Sequence, residues 1–349
     1  MIRVAYDTRP LKSGDAVRGI GFYTMALLEH LRKIKDIEIG LEDVTRADLS
    51  KYNVIHYQKF HPYFINIPFF KRQKSILTIH DLIYLIYPKA YPPGIKGRIR
   101  FFIQKFLVRK MDAIITVSEN SKKDIVRLLG IPQEKIFTIH SAPRQIFKPI
   151  QDKSFLDSIK EKYSLPEKFI LYVGDVNYNK NLPGLIGASK IAKVPLVIVG
   201  KQAASLDFDR DHPENKPLVQ ILNKYGEDKD VIRLGFVEDN DLVGIYNLAS
   251  VYCQPSFYEG FGFPVLEAFA SGCPVVAAKT QALVEIGEPA CLFADPKDPK
   301  DIAEKIALVL EDSELKGQLI KTGKVFVKSY AWDKTAKETA EVYRLVAGK

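Results

Sequence analysis

The stretch Ser256-Phe257-Tyr258-Glu259-Gly260-Phe261-Gly262-Phe263-Pro264-Val265-Leu266-Glu267-Ala268-Phe269-Ala270-Ser271-Gly272-Cys273-Pro274-Val275-Val276 reads as a glycine-rich turn, one short helix and a strand. Pro264 suits the first helical turn, where its missing N–H has no intrahelical partner to lose. Gly272 suits the position just past the helix end, where the backbone often turns left-handed. Amides at such a helix N-terminus attract phosphate oxygens. Glu259 stands just before the helix and Glu267 one turn inside it. Anion-binding amides beside two hydroxyl-accepting carboxylates fit a sugar carried on a nucleotide diphosphate. The same spacing also fits an ordinary helix with one capping and one surface glutamate.

Outward from this unit, short β-rich runs alternate with helical patterns, which argues for parallel sheets covered by helices. The first half gives strands at Ile2–Tyr6, Ile37–Leu41, Val54–His56, Ser75–Ile79, Ala113–Val117 and Lys135–Ile139, with helices near 19–33, 95–110 and 119–129. The stretch 141–153, with Pro143 and Pro149, carries no helical period and reads as a linker. A second series follows at Phe169–Val173, Leu196–Val199, Val231–Leu234, Val251–Gln254, Pro274–Ala277 and Ala290–Phe293, then a helical region from about 299 to 347. The expected fold is α/β: two doubly wound, Rossmann-like domains facing across a cleft. Their expected bounds are 1–148, 149–328 and a C-terminal helix, 329–349, crossing back to the first domain. Ligands in such sheets bind outside the carboxyl ends of the strands.

A chain of 349 residues with 46% hydrophobic residues can build two real cores. Its cysteines, Cys253, Cys273 and Cys291, form no close metal-ligand pair, and their odd number excludes a full disulfide framework. The opening Met1–Asp7 lacks a signal-peptide core, and no apolar run of roughly 18 residues predicts a membrane span. A cytoplasmic location is expected, peripheral at the inner membrane face if the basic surface discussed next binds lipid. Residues 1–150 carry 26 Lys and Arg against 13 Asp and Glu, whereas 151–349 carry 25 against 29. Within 51–111 there are 12 basic residues and one acid, Asp81, interleaved with aromatics such as Phe60, Tyr63, Phe64, Phe69, Phe70, Phe101, Phe102 and Phe106. Such a mixture fits an anionic bilayer surface. It equally fits a solvated basic face over ordinary core aromatics. No nucleic-acid motif accompanies it, and no nucleic-acid partner is expected.

The run from Glu259 to Glu267, with Leu266-Glu267-Ala268 and Ser271-Gly272-Cys273-Pro274 after it, resembles the paired-glutamate motif of retaining, family-4-type glycosyltransferases with the GT-B fold. The similarity extends along essentially the whole chain. Arg18-Gly19-Ile20-Gly21-Phe22-Tyr23 resembles the family's first-domain glycine loop, which implies donor-phosphate approach at Gly19 and Gly21. Thr78-Ile79-His80-Asp81 is similar to its His-Asp pair, which implies that His80 contacts the donor sugar. Tyr172-Val173-Gly174-Asp175-Val176-Asn177-Tyr178-Asn179-Lys180-Asn181 resembles its strand–glycine–loop–lysine element, which implies donor contacts at Gly174 and Asn179 and places Lys180 on the diphosphate. Many members carry arginine after that glycine. Here Asp175 stands there, so Lys180 and loop amides, with Arg18 or Arg144, are expected to supply the stabilisation. Gly235-Phe236-Val237 resembles the segment beside the nucleotide base, which implies contacts at Phe236 and Val237. Tyr330 to Ala336, with Trp332, resembles the element that returns to the first domain.

The resemblance implies transfer of a mannose- or glucose-type hexose from a nucleotide sugar to a glycan or lipid-linked acceptor, with retained configuration. Lys180 and the amides of Phe261, Gly262 and Phe263 would stabilise the leaving group. Glu267 would accept from ribose hydroxyls and Glu259 from sugar hydroxyls. No covalent nucleophile, cofactor or metal is expected. Asp207-Phe208-Asp209 matches a metal-binding pattern but reads as a solvated loop. Two other readings stay open: a sugar-nucleotide epimerase of the same fold, and a non-catalytic membrane-surface or sugar-binding protein.

Overall fold

The computed structural model describes every residue except 15, 17, 70–72 and 349, so Phe70 lies outside the described residues. The chain forms two compact units. One spans Met1–Ala142 together with the segment from Tyr330 onward, and the other spans Pro143–Ser329.

The first unit is built on six parallel strands: β1 (Ile2–Asp7), β2 (Ile37–Glu42), β3 (Val54–Tyr57), β4 (Lys74–Ile79), β5 (Ala113–Thr116) and β6 (Ile136–Thr138), in the order β2-β1-β3-β4-β5-β6. The second carries β7 (Ile170–Val173), β8 (Leu196–Val199), β9 (Val231–Gly235), β10 (Val251–Gln254), β11 (Val275–Ala278) and β12 (Cys291–Ala294), in the order β12-β11-β10-β7-β8-β9. Every pairing is parallel, as in Ile170↔Leu196 and Tyr252↔Val275. Helices cover both faces of such sheets, so the strands read as continuous apolar runs. In β3, β5, β8, β10 and β11 every residue is buried. Strand order reverses between β1 and β3 in one unit and between β7 and β10 in the other. These switch points open crevices at the strand carboxyl ends.

Local chemistry sets the element ends. The Ser118 hydroxyl accepts from the Ser121 amide at 3.0 Å and starts the helix Glu119–Asp124. That helix runs on as a single π turn, Ile125–Leu129, and stops at Gly130, whose φ of 67° is left-handed. The expected helical region from 299 to 347 is three helices, Pro299–Glu311, Ser313–Phe326 and Trp332–Ala347. Periodicity alone missed the first break: Asp312 caps the second helix by accepting from the Leu315 amide.

The helix Trp332–Ala347 packs into the first unit through polar as well as apolar contacts. Trp332 is buried, with its ring edge-on to Phe22 and Tyr23. Thr335 donates to the His140 carbonyl at 2.7 Å, and Arg344 forks onto Asp36 at 2.8 and 2.9 Å. At the centre, fully buried His56 on β3 bridges Tyr343 on the helix, 2.7 Å from Nδ1, and Thr78 on β4, 2.8 Å from Nε2. A hydroxyl can donate or accept, so both ring nitrogens of a neutral imidazole are satisfied. Burial first, and His80 second, lower the His56 pKa to about 3.

Candidate functional site

In the second unit, the switch point between β7 and β10 collects the chemistry. β7 runs into Gly174, whose φ is 149°, and a Cβ on neighbouring Gly200 would come within 2.2 Å of the Gly174 carbonyl. Only glycine permits that close approach. Beyond it, Asn179 and Asn181 fasten the loop to the strand beside it. Asn179 Nδ2 donates to the Tyr258 carbonyl at 3.0 Å, and the Asn179 carbonyl accepts from the Phe257 amide at 2.8 Å. Asn181, itself left-handed, donates to the Pro255 and Pro296 carbonyls. Buried Asn179, expected at the donor, also ties the two loops together. Between the two asparagines stands Lys180.

Lys180 Nζ lies 2.9 and 2.8 Å from the two carboxylate oxygens of Glu259. The residue expected on the diphosphate and the residue expected on the sugar are therefore paired with each other. Glu259 is buried and further held on Oε1 by Gln254 Nε2 at 2.8 Å and Ser256 Oγ at 2.6 Å. Tyr252 donates to Gln254 Oε1, which turns the amide so that its NH₂ faces Glu259. Gln254 and Ser256 were not singled out from sequence. Their signal is β10's register, which places them at the strand's carboxyl end.

The helix Phe263–Ser271 follows, with Pro264 in its first turn and Gly272 closing it at φ 75°. Its N-cap residue, Gly262, has no side chain with which to cap it. Gly262 enters at φ 134°, and a Cβ there would meet Ile286 Cδ1 at 2.6 Å. Gly262→Ala is expected to destabilise the protein by about 1–3 kcal/mol through strained backbone. Chemical denaturation checks this, and a change under about 0.5 kcal/mol, the range of a bland surface substitution, would contradict it. Phe261 is buried with its ring 5.4 Å from Phe263.

Glu267, buried on the same helix, accepts from Arg144 Nε at 2.9 Å and from the Tyr246 hydroxyl at 3.4 Å. Arg144 also contacts Asp239 and lies over the Phe147 ring at 4.6 Å. Burial pushes the Glu267 carboxyl pKa up, and Arg144 opposes that shift. Burial pulls the Arg144 pKa down, but the carboxylates of Glu267 and Asp239 outweigh it and the net shift is upward. Arg144, one of two cations named to offset Asp175, therefore sits on Glu267. Asp175 accepts at its carbonyl from the Tyr172 hydroxyl at 2.8 Å. Phe236 is exposed and Val237 buried in the turn that leads from β9 to Asp239. Asp207 and Asp209 lie in an exposed stretch, where Asp209 accepts from the Asp211 amide. Among the described residues no group of three or more His, Cys, Asp or Glu clusters as a metal site would.

In the first unit, Gly19 and Gly21 are not in a loop: Gly19 opens the helix Gly19–Leu31, and Gly21 is buried within it. The glycines let the helix begin immediately after Arg18, whose extended backbone leads into it. His80 follows β4, half-buried, with Nε2 3.2 Å from the Gln58 carbonyl and its ring edge-on to Tyr23 at 4.7 Å. Asp81 accepts from the Ile83 amide and so caps the next turn. Gln58, at the carboxyl end of β3, is fully buried with neither side-chain amide atom hydrogen-bonded. Sequence gave no sign of it. Burying an amide without a protein partner is costly.

The family described as glycosyl transferases group 1 matches residues 156–326, and the one described as Glycosyltransferase Family 4 matches residues 7–142. The O-antigen chain mannosyltransferase B of Escherichia coli is 30% identical over 284 residues, covering 78% of this chain and 71% of that protein. The chain belongs to the group 1 glycosyltransferases. The serotype-specific mannosyltransferase WbdA of Escherichia coli is 28% identical over 275 residues; the match covers 78% of this chain but 33% of WbdA, so the chain spans about a third of that protein. Anabaena HepE, solved in complex with UDP-glucose, superposes with a TM-score of 0.74 at 17% identity, covering 98% of this chain and 99% of that one. That likeness concerns the fold, the two-domain GT-B architecture. As a group 1 member, this protein is a glycosyltransferase that uses a nucleotide sugar.

Proposed function

We propose that this glycosyltransferase moves a mannose-type hexose from its nucleotide sugar to a growing glycan or lipid-linked sugar, with the anomeric configuration retained. The Lys180–Glu259 pair at the β7/β10 switch point carries the reading. Two relatives named as mannosyltransferases, one of them acting on an O-antigen chain, support the sugar and acceptor class.

As the glycosidic bond breaks, negative charge grows on the leaving phosphate and positive character on the anomeric carbon. Lys180 meets the phosphate charge, aided by the positive end of the helix Phe263–Ser271. When Lys180 turns toward phosphate, Glu259 keeps its hydrogen bonds from Gln254 and Ser256 and stays positioned to accept from sugar hydroxyls. Glu267 exchanges Arg144 for ribose hydroxyls, and the released guanidinium offsets the acid at Asp175. His80 acts on the donor sugar. With Lys180 and backbone amides carrying the leaving-group charge, turnover is expected to need no metal and to survive chelation.

The test is nucleoside diphosphate release from GDP-mannose and UDP-glucose with and without oligosaccharide acceptors, with the product anomer assigned by NMR. Acceptor-dependent release with retention supports the proposal. Inversion contradicts the retaining mechanism, and sugar interconversion without nucleotide release would favour an epimerase.

A further inference from the structure

The helix Gly94–Arg109 has two apolar faces, and only one of them is used. Leu107 and Val108 are buried in the first unit's core, with Phe101 and Ile103 packed against it. Gln104 anchors the same side by donating to the carbonyls of His61 and Phe64 and to Asn66 Oδ1. On the opposite side, Ile95, Ile99, Phe102 and Phe106 recur at steps of four, three and four, which is one stripe of a 3.6-residue helix. They are 80, 58, 73 and 61% exposed. A core-facing stripe would be buried. A solvated face would not gather two isoleucines and two phenylalanines in line.

Charge identifies the occupant. Between Asp81 and Asp112 the chain carries seven basic residues and no carboxylate. Lys96, Arg98, Arg100 and Arg109 are exposed on this helix, so cations flank the stripe on both sides. The adjoining loop adds exposed Phe64, Ile65 and Phe69, with Arg100 over the Phe64 ring at 5.8 Å. Lys110 lies over Phe106 at 4.3 Å. Long basic side chains can reach outward to phosphates while the rings beside them enter the acyl boundary. Among the described residues no helix is long and apolar enough to cross a membrane, so this face would lie on the bilayer rather than span it.

We propose that the face of the helix Gly94–Arg109 bearing Ile95, Ile99, Phe102 and Phe106 docks on an anionic phospholipid bilayer. Its apolar stripe enters the interface and its basic flanks contact the headgroup phosphates. The proposal is independent of the transfer chemistry.

The test is co-sedimentation of the full chain with vesicles of phosphatidylcholine alone, or with about 30 mol% phosphatidylglycerol. Binding is expected on the anionic vesicles, at least about tenfold weaker on neutral ones, and weakened again when salt rises from about 50 to about 500 mM. Phe102→Ser with Phe106→Ser removes exposed rings only, so melting temperature and nucleotide-induced stabilisation should hold while vesicle binding falls by about tenfold or more. A second variant, Arg98→Ser with Arg100→Ser, should lose mainly the preference for anionic vesicles. Absence of binding to anionic vesicles at low salt, or binding by both variants as strong as that of the unsubstituted chain, overturns the proposal. So does a concentration-dependent dimer that the phenylalanine variant dissolves, because the occupant would then be a second copy of the chain.

Discussion

Lys180→Ala is expected to lower kcat/KM by about 10²- to 10³-fold, the usual loss when one positioned donor to a developing anion is removed. It should also cost about 1–3 kcal/mol of stability, because Glu259 is buried and loses its counter-charge. The two effects separate in a double-mutant cycle. Lys180→Ala combined with Glu259→Gln removes both charges together, and Gln254 and Ser256 can still hydrogen-bond the new amide. That double variant should recover most of the lost stability and none of the activity. If Lys180 and Glu259 were only a structural ion pair, activity would return with stability. Urea titrations and initial rates on the same four proteins give the comparison.

The second large effect is on stability against acid. Folded His56 titrates at about 3, whereas an unfolded histidine titrates near 6.5. The unfolded chain therefore binds the extra proton first, and the neutral ring stabilises the fold fully above pH about 6.5. That contribution is lost as pH falls toward 3, at about 1.4 kcal/mol per pH unit. A His56→Gln variant should show a shallower decline across this window by one proton's worth of slope. Equal slopes in denaturation series from pH 7.5 to 4.5 would show that His56 is not the titrating group. The outcome bears on the fold, since His56 ties the helix Trp332–Ala347 to β3 and β4 through Tyr343 and Thr78.

The legible parts of the chain were those written in local pattern. Short β-rich runs marked the twelve strands among the described residues to within a residue or so, most clearly where, as in β3, β5, β8, β10 and β11, every residue is buried. Pro264 and Gly272 marked the ends of the helix that carries Glu267. What local pattern could not carry was pairing across distance. Lys180 and Glu259 are 79 positions apart, and Arg144 and Glu267 are 123 apart, yet each pair is in direct contact. Each was assigned a separate task on a ligand; the protein holds them against one another. Asn179 was read as a donor contact; its side chain also fastens the loop through the Tyr258 carbonyl, which local pattern could not show. Gly19 and Gly21 were read through the resemblance as a loop approaching the donor phosphates, whereas here they lie in the helix that begins at Gly19. Gln58 and His56 gave no sign at all. Their importance lies in burial, and burial of a polar residue is decided by tertiary contacts.

The most direct measurement is a thermal-shift series with UDP-, GDP-, ADP- and CDP-sugars on wild type and Glu267→Ala. A donor present at about 100 times its dissociation constant stabilises the folded protein by about 2.7 kcal/mol, a readily visible rise in melting temperature. The account predicts a clear shift with one nucleotide base that Glu267→Ala abolishes, since the ribose would lose its acceptor. No shift with any of the four at millimolar concentration, or an equal shift in the variant, would contradict the placement of the donor on Glu259, Glu267 and Lys180.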